Sequence, residues 1–317
     1  MSGSASIMAV AAAVEARLGN RVERNAPAAP LTTYRCGGPL AVLVHVDREA
    51  ELAELAAVMA SEPDVGVLVI GRGSNLLVAD AGFPGVAVVL GGEFERIDLD
   101  PGLATVEAGA AVALPVLARQ AAKAGIAGVE FYVGIPGSVG GAVRMNAGGH
   151  GAQTADVLVD ARVLDLRDGA VRVTGREALG LGYRCSALTP REIVLSARFA
   201  GNADDPEACE RRIDDIVRWR REHQPGGQNA GSVFTNPPGD TAGRLIDACG
   251  LKGTRVGGVV VSEKHANFFV AEPGARADDV VALVRLVQRR VAEATGVQLV
   301  AELQFVGNAT GSKEVDG

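Results

Sequence analysis

Gly134-Ile135-Pro136-Gly137-Ser138-Val139-Gly140-Gly141-Ala142-Val143 is the stretch of this sequence that decides the fold. It holds four glycines and one proline. Both residue types disfavour the interior of a helix, so we predict an irregular loop. Glycines leave the backbone bare, and successive free N–H groups in a turn form a concave nest for anions such as phosphate. A tight turn between two strands is the alternative interpretation of this run taken alone.

A second glycine loop follows a short apolar run. Residues 65–70 predict a buried strand that leads directly into Gly71-Arg72-Gly73-Ser74-Asn75-Leu76. This is not the Rossmann fingerprint, because Leu76 stands where the third glycine belongs. A turn and another strand at 86–90 follow, where a Rossmann unit needs a helix. We therefore predict two phosphate-binding loops on β-rich scaffolding, neither at a helix N-terminus, with one diphosphate held between them.

Composition and charge exclude several classes of protein. With 317 residues, of which 48% are hydrophobic, the chain is long enough for two or three domains. Its formal net charge of −7 argues against nucleic acid as a general partner. The four cysteines lie far apart without a C-x-x-C pair, which indicates reduced thiols and argues against a metal site.

The apolar segments of the sequence indicate neither a membrane span nor a secretion signal. An apolar run of about 18 residues, the usual minimum for a transmembrane helix, is absent from the sequence. The apolar stretch at 7–14 has no basic residue before it, so we predict a short surface helix and not a signal peptide. These features predict a cytoplasmic protein that does not associate with a membrane.

The predicted elements divide the chain into five parts. These are a surface helix at 1–20, a first subdomain at 21–90, a second at 91–203, a C-terminal domain at 204–307 and a disordered polar tail at 308–317. Helices are predicted at 48–60, 114–124, 206–222, 241–249 and 278–295. A hairpin is predicted around the D-G turn at 168–169, followed by strands at 191–200 and 297–306.

Three places outside the glycine loops carry polar groups that a plain fold does not require. Tyr183 and Arg184 are suited to clamp a carboxylate or phosphate, although an exposed surface pair is the more ordinary interpretation. Ser232 is not in a nucleophile elbow, because Phe234 occupies the position of its second glycine, and the four histidines have no recognisable triad context. Glu302 becomes an acid/base candidate if its face of the predicted last strand lines a cleft.

The ordered set of these motifs resembles one known family. Both glycine loops, the second continuing through Asn146-Ala147-Gly148, precede Tyr183-Arg184-Cys185-Ser186, Gly231-Ser232-Val233-Phe234-Thr235-Asn236-Pro237 and Glu302. In this order they are similar to the UDP-N-acetylenolpyruvoylglucosamine reductases, the MurB family, over roughly residues 21–307. The resemblance implies an α+β fold, in which a two-part FAD-binding fold of the vanillyl-alcohol-oxidase/PCMH type precedes a C-terminal α/β substrate domain.

The resemblance also implies the reaction. The loops from Gly71 to Leu76 and from Gly134 to Gly141 would hold non-covalent FAD, and NADPH would be the co-substrate. The enolpyruvyl ether of UDP-N-acetylglucosamine would be reduced to UDP-N-acetylmuramate for peptidoglycan synthesis, and hence for cell wall, cell shape and cell division. Hydride would pass from flavin N5 to C3 of the ether, and Ser232 would protonate C2. Arg184 and Glu302 would stabilise the charge that develops.

The implied substrate-binding residues are Tyr183, Asn236 and Lys264. The family commonly has a lysine where this chain has Thr235, so Lys264 or the arginines at 218–221 would supply that phosphate contact. The spacing around 219–230 resembles the family type that lacks an extra tyrosine-bearing loop, and we expect a monomer.

Two other functions are compatible with the cofactor loops. One is an FAD-dependent oxidase or dehydrogenase of the same fold that acts on another substrate. The other is a nucleotide-binding regulatory module without enzymatic activity. Bound flavin would exclude the second, and dependence of NADPH consumption on the enolpyruvyl nucleotide would exclude the first.

Overall fold

The computed structural model of the chain describes residues 2–307, and the tail predicted at 308–317 lies outside them. The helices are α1 (Ser2–Leu18), α2 (Glu49–Met59), α3 (Leu114–Lys123), α4 (Val139–Met145), α5 (Thr154–Val157), α6 (Pro206–His223), α7 (Ala242–Ala248) and α8 (Ala277–Thr295). None of the helices within this described range is long and apolar enough to cross a membrane.

The strands are short and distributed over the whole described chain. They are β1 (Val22–Pro27), β2 (Pro39–Val46), β3 (Val67–Ile70), β4 (Leu76–Val78), β5 (Phe83–Leu90), β6 (Ile97–Asp100), β7 (Thr105–Gly109), β8 (Ile126–Ala127), β9 (Gly148–Gly149), β10 (Ala152–Gln153), β11 (Leu158–Asp165), β12 (Val171–Gly175), β13 (Glu192–Ala200), β14 (Asn202–Ala203), β15 (Arg255–Val256), β16 (Val259–Val261), β17 (Phe269–Ala271) and β18 (Gln304–Val306).

The first unit is a four-stranded mixed sheet in the order β1-β2-β5-β3. Strand β5 runs parallel to both of its neighbours, β2 and β3, whereas β1 is antiparallel to β2. Helices α1 and α2 belong to the apolar core of this unit, where Val14 and Leu52 are fully buried. Because β3 ends at Ile70, the first glycine loop emerges at the edge of this sheet.

The second unit is a five-stranded antiparallel sheet in the order β12-β11-β13-β7-β6. The predicted hairpin is confirmed as β11 and β12, which pair from Asp160–Gly175 to Leu164–Val171. Helix α3 and the short 3-10 helix Glu130–Gly134 contribute to its core. Helix α6 follows the domain boundary predicted at 203–204, yet its buried Cys209 and Ile213 also belong to the core of this second unit.

The third unit contains the antiparallel sheet β15-β16-β17 and helices α7 and α8. Its core includes Phe234, Phe269 and Val284, which are nearly or fully buried. Strand β18, at the end of this unit, pairs in parallel with β4 of the first part of the chain. The end of the described chain therefore returns to the strand that follows the first glycine loop.

Helix α4 overturns the prediction that the second glycine loop contains no helix and lies away from a helix N-terminus. Ser138 is the N-cap residue of α4, and its hydroxyl oxygen accepts a hydrogen bond from the Gly141 N–H. Val139 and Val143 are fully buried. Their burial offsets the low helix propensity of the glycines, since tertiary packing supplies most of the stability of a short helix.

The predicted strand at 297–306 is confirmed only for its last three residues, which form β18. Its period-two burial is nevertheless present, because Leu299, Ala301, Leu303 and Phe305 are all buried. Before β18 the backbone pairs with separate loop segments: the Thr235 N–H donates to the Val300 carbonyl. An extended segment that changes partners in this way does not form a continuous strand.

Candidate active site

A cleft of about 1040 Å³ opens where the three units meet. Its walls come from the end of β3, from both glycine loops and from segments near Arg184, Ser232 and Glu302. This volume is at the upper end of the range of pockets that bind cofactors and drug-sized ligands. Chain segments that are more than two hundred residues apart in sequence therefore line one site.

The first glycine loop presents unpaired backbone donors to the cleft. Within residues 2–307, the backbone N–H groups of residues 72–75 donate no hydrogen bond to a protein acceptor. Gly73 has a left-handed backbone with φ of 61°, and a Cβ on it would lie 1.9 Å from the Leu31 carbonyl oxygen. Only glycine fits there, and a turn with successive free N–H groups is the kind of backbone that can bind an anion.

The second glycine loop contributes fewer free donors than its sequence suggested. The N–H groups of Val139 and Gly140 already donate to the carbonyls of Val112 and Ala110. Within the described residues, the N–H groups of Gly137 and Ser138 have no protein acceptor. The free N–H donors of this loop therefore lie in its first half, immediately before the start of α4.

The two glycine loops touch each other across the cleft floor. A Cβ on Gly71 would lie 2.3 Å from the Ser138 hydroxyl oxygen, so the loops are in direct contact at this point. A diphosphate needs several donors that converge from two sides, and the contact brings the two groups of free N–H donors together. The residues present therefore fit the FAD diphosphate that the sequence predicted.

Arg184 and Glu302 form an ion pair at the cleft. The Arg184 Nε lies 2.6 Å from the Glu302 Oε1, and the two side chains are 23% and 15% exposed. A second guanidinium nitrogen, Nη2, donates to the Gly148 carbonyl at 3.1 Å. Burial raises the pKa of the Glu302 carboxyl, and the adjacent Arg184 guanidinium opposes that rise. Such a carboxyl can hold or release a proton closer to neutral pH than an exposed one.

The backbone that carries Arg184 is held in an uncommon conformation. Its φ of 58° lies in the left-handed region, which non-glycine residues rarely adopt. The Gly182 carbonyl nearby accepts a hydrogen bond of 2.9 Å from the side-chain amide of Asn146. Asn146 is itself left-handed at the end of α4, so the second glycine loop and the Arg184 turn are fixed to each other.

Ser232 enters the cleft from a turn that its neighbours define. Gly231 has φ of 74°, and its N–H donates to the side chain of Asn229 at 3.1 Å. Ser232 then forms an isolated antiparallel bridge with Phe268. One residue later, the Val233 carbonyl accepts a hydrogen bond of 2.8 Å from the Glu302 N–H. The Ser232 hydroxyl and the Glu302 carboxylate thus belong to two backbone segments that a hydrogen bond joins.

Two family models match the chain in the order of its architecture. One, described as an FAD binding domain, matches residues 39–175, and the other, the C-terminal domain of UDP-N-acetylenolpyruvoylglucosamine reductase, matches residues 223–306. The reductase of that name from Paramagnetospirillum magneticum is 43% identical over 293 residues, covering 92% of this chain and 94% of the relative. The one from Rubrobacter xylanophilus is 44% identical over 278 residues, covering 87% and 92%.

The chain belongs to the UDP-N-acetylenolpyruvoylglucosamine reductase family. A crystal structure of UDP-N-acetylenolpyruvylglucosamine reductase (MurB) from Thermus caldophilus superposes with a TM-score of 0.78 at 41% identity. It covers 90% of this chain and 99% of that one. The predicted α+β fold is confirmed: an FAD-binding part of the vanillyl-alcohol-oxidase/PCMH type precedes the C-terminal domain of the reductase family.

Most of the residues predicted for this reductase site line one cleft. The exceptions are Val139, Tyr183, Asn236 and Lys264. Val139 is buried in the core. The exposed ring of Tyr183 lies beneath the Arg184 guanidinium, 5.2 Å from ring centroid to Cζ. Asn236 accepts a hydrogen bond from the Ala242 N–H at the start of α7, and the exposed Lys264 ammonium donates to the Arg221 carbonyl.

Two arginines line the cleft of this reductase: Arg144, which the sequence analysis did not name, and Arg220, which it named only as one of the arginines at 218–221. Arg144 on α4 donates to the Leu188 carbonyl, and Arg220 on α6 donates to the Gln224 side chain at 2.9 Å. Among the described residues, neither forms an ion pair with a carboxylate, and burial lowers the pKa of both guanidinium groups. The position of an arginine on a helix does not by itself predict that it lines a cleft, since charged helix residues are usually exposed.

Proposed function

We propose that this chain uses NADPH to reduce the enolpyruvyl ether of UDP-N-acetylglucosamine to UDP-N-acetylmuramate, a step of peptidoglycan precursor synthesis. The observation that carries the proposal is that Ser232 and the Arg184–Glu302 ion pair line the same cleft as the two glycine loops. In a member of this reductase family, a proton donor and a charge pair beside a flavin site suit reduction of a polarised double bond.

The glycine loops are suited to hold FAD. The free N–H groups of residues 72–75, with those of Gly137 and Ser138, would bind its diphosphate. When bound, FAD supplies the two-electron redox chemistry that connects NADPH to the enolpyruvyl ether.

Arg184 and Glu302 would act on the charge that develops at the enolpyruvyl group. Hydride addition to its C3 places negative charge on C2 and the neighbouring carboxylate. The guanidinium of Arg184 would stabilise that charge, and the buried carboxyl of Glu302 would orient the guanidinium and donate a hydrogen bond when protonated. Their partial burial strengthens these interactions, because the local dielectric constant is lower than that of water.

Ser232 would deliver the proton to C2. A serine hydroxyl is a weak acid and serves as a donor only when it is held tightly against a strongly basic carbon. The turn at Gly231, the bridge to Phe268 and the bond between Val233 and Glu302 provide such positioning. The proton and the stabilising charge would then reach the substrate from adjacent backbone segments.

Tyr183, Asn236 and Lys264 would contact the UDP portion, which extends beyond the cleft. Thr235 stands where the family commonly has a lysine, and Arg220 is best placed to supply the phosphate contact in its stead. Arg220 lines the cleft, and its hydrogen-bond partner Gln224 is neutral. A partly buried guanidinium without a carboxylate is suited to receive phosphate.

We further propose that the enzyme acts as a monomer in the cytoplasm. One chain supplies both glycine loops, Arg184, Ser232 and Glu302, so the site requires no partner subunit. Its substrates would be the water-soluble nucleotides NADPH and the UDP-sugar.

The test of the function is NADPH consumption by the purified, flavin-loaded protein. Oxidation of NADPH should depend on UDP-N-acetylenolpyruvoylglucosamine and should yield UDP-N-acetylmuramate. UDP-N-acetylglucosamine, which lacks the enolpyruvyl double bond, should not support NADPH oxidation. Flavin reduction by an alcohol or sugar, with no response to the enolpyruvyl nucleotide, would instead establish the alternative oxidase or dehydrogenase function.

A further inference from the structure

Asn75 lies in the first glycine loop, but its side chain contacts the segment that carries Glu302. Its Nδ2 donates to the backbone carbonyl of Glu302 at 3.1 Å. Its own carbonyl accepts a hydrogen bond of 3.0 Å from the Gln304 N–H. One residue of the phosphate loop therefore contacts the backbone at Glu302 and again at Gln304, two residues later.

The backbone of Glu302 is otherwise held at only a few points. Its N–H donates to the Val233 carbonyl at 2.8 Å, and its carbonyl also accepts a bond of 3.2 Å from the Gln304 side chain. Strand β18 begins at Gln304, where it pairs with β4 immediately after Asn75. Glu302 thus lies between the segment of Ser232 and the first glycine loop, and Asn75 is its link to that loop.

The carboxylate end of Glu302 depends on the position of this backbone. The 2.6 Å approach of Arg184 Nε to Oε1 is an ion pair. Among the described residues, that Nε has no partner with hydrogen-bond geometry. A close pair with imperfect alignment is sensitive to small displacements of either partner, and charge stabilisation in an active site requires its groups to be fixed in place.

We propose that Asn75 is a positioning residue for Glu302, and that its side chain is not a ligand of the cofactor. Its backbone N–H remains available to the FAD diphosphate, while its amide fixes the carboxylate for the reaction with the substrate. The inference rests on the proposed function and assigns Asn75 to the second half of the catalytic cycle. Through this residue the cofactor loop and the acid residue form one rigid assembly.

The two half-reactions separate this role from a cofactor role. In Asn75→Ala, FAD content and the rate of flavin reduction by NADPH should stay within about twofold of the wild type. The limiting rate of reoxidation by the enolpyruvyl nucleotide should fall about tenfold, the upper range for loss of one neutral hydrogen bond. The substrate concentration at half-saturation should change little, because the side-chain amide is already bonded to the Glu302 carbonyl.

A double-mutant cycle with Glu302→Gln tests whether Asn75 acts through Glu302. In the Glu302→Gln background, Asn75→Ala should have almost no further effect on reoxidation, since the carboxylate that it positions is gone. Ser74→Ala, which removes the neighbouring side chain of the same loop, should show no such coupling. If Asn75→Ala does not fold, Asn75→Ser, whose shorter side chain cannot reach the carbonyl, replaces it in the cycle.

Two results would overturn the inference. Loss of FAD from both Asn75 variants would assign the side chain to the cofactor, and an equal slowing of reoxidation in the wild-type and Glu302→Gln backgrounds would remove the connection with Glu302. A wild-type protein that fails to reoxidise with the enolpyruvyl nucleotide would contradict the proposed function itself, before any variant is compared.

Discussion

Ser232 and Glu302 reach the cleft from segments that one hydrogen bond joins, from the Glu302 N–H to the Val233 carbonyl. Their chemistry differs: the hydroxyl would give a proton to carbon, whereas the carboxyl would stabilise charge beside Arg184. Because the two groups would act after hydride has begun to move, neither is required for the reaction of flavin with NADPH.

Replacement of Ser232 by alanine should therefore affect one half-reaction only. Reduction of FAD by NADPH should remain nearly intact, and reoxidation by the enolpyruvyl nucleotide should slow by about 10²–10⁴, the range for a lost general acid. Stopped-flow absorbance of the flavin measures both steps. Ser232→Cys, which keeps a proton on a side chain of similar size, should retain part of the rate. Equal slowing of both half-reactions would make Ser232 a structural residue of the flavin site.

Gly71 and Gly140 look equivalent in sequence but have different surroundings. A Cβ on Gly140 would lie 3.0 Å from the Ala110 Cβ, so that glycine allows α4 to pack against the protein and not against the diphosphate. A Cβ on Gly71 would meet the Ser138 hydroxyl at 2.3 Å. A methyl group added at Gly71 would therefore push the two glycine loops apart.

Gly71→Ala should weaken FAD binding by about tenfold or more, equivalent to ~1.4 kcal/mol or more. Addition of Ser138→Ala should restore part of the affinity, because it removes the oxygen atom that clashes. Titration of apoprotein with FAD, followed by flavin fluorescence, gives the dissociation constants. Gly175→Ala is the matched control, since a Cβ there has no heavy atom within 4 Å. Unchanged affinity in Gly71→Ala would mean that the loop contact does not shape the cofactor site.

Helix α4 and the segment before β18 show where a single sequence misleads at the level of elements. The glycines of α4 predict a loop, but Ser138 caps the helix and burial of Val139 and Val143 stabilises it. The alternating pattern at 297–306 correctly predicts which side chains are buried. It could not predict the pairing partners, because these are Asn75, Val233 and Thr235, which are distant in sequence.

Asp80 connects two elements that the sequence placed in separate domains. Its carboxylate accepts hydrogen bonds from the N–H groups of Ala277 and Asp278 at the start of α8, and lies near Arg276. Burial alone would raise the pKa of Asp80, but these two N–H groups and Arg276 outweigh it and lower the pKa. A residue that follows β4 thereby serves as a helix cap for the C-terminal unit.

Asp80→Ala should lower the free energy of unfolding by about 1 kcal/mol at neutral pH, the usual cost of a lost cap. A lowered pKa gives stability that is present above the unfolded value, about 3.9 for Asp, and is lost as pH falls through the folded value. The difference in the free energy of unfolding between the wild type and Asp80→Ala should therefore shrink below about pH 4. Urea unfolding at several pH values measures it, with the exposed Asp98→Ala as control. A difference that does not change with pH would contradict the capping role.

The sequence predicted the components of the whole molecule better than their arrangement. Both glycine loops, Arg184, Ser232 and Glu302 line the cleft. The sequence did not name Arg144 and could not separate Arg220 from the other arginines at 218–221, because only the packing of α4 and α6 brings these two side chains to the cleft. Asn236 and Lys264 were named only through the family resemblance, whereas Tyr183 was also singled out from the residues, next to Arg184. The side chains of all three contact nearby protein groups.

FAD should be bound without a covalent bond and should stabilise the whole molecule, because its site is lined by segments of all three units. Acid precipitation should release the yellow colour into the supernatant, and colour in the pellet would contradict the non-covalent site. Removal of FAD should lower the melting temperature, and readdition should restore it, since a ligand at about 100 times its dissociation constant adds ~2.7 kcal/mol to the stability.

Anaerobic titration tests the assignment of substrate and reaction most directly. The FAD-loaded protein is first reduced with one equivalent of NADPH in the absence of oxygen, and UDP-N-acetylenolpyruvoylglucosamine is then added while the flavin spectrum is recorded. One equivalent of this nucleotide should restore the oxidised spectrum, with UDP-N-acetylmuramate formed in equal amount. A flavin that stays reduced with excess enolpyruvyl nucleotide, yet reoxidises when oxygen is admitted, would contradict the proposed function.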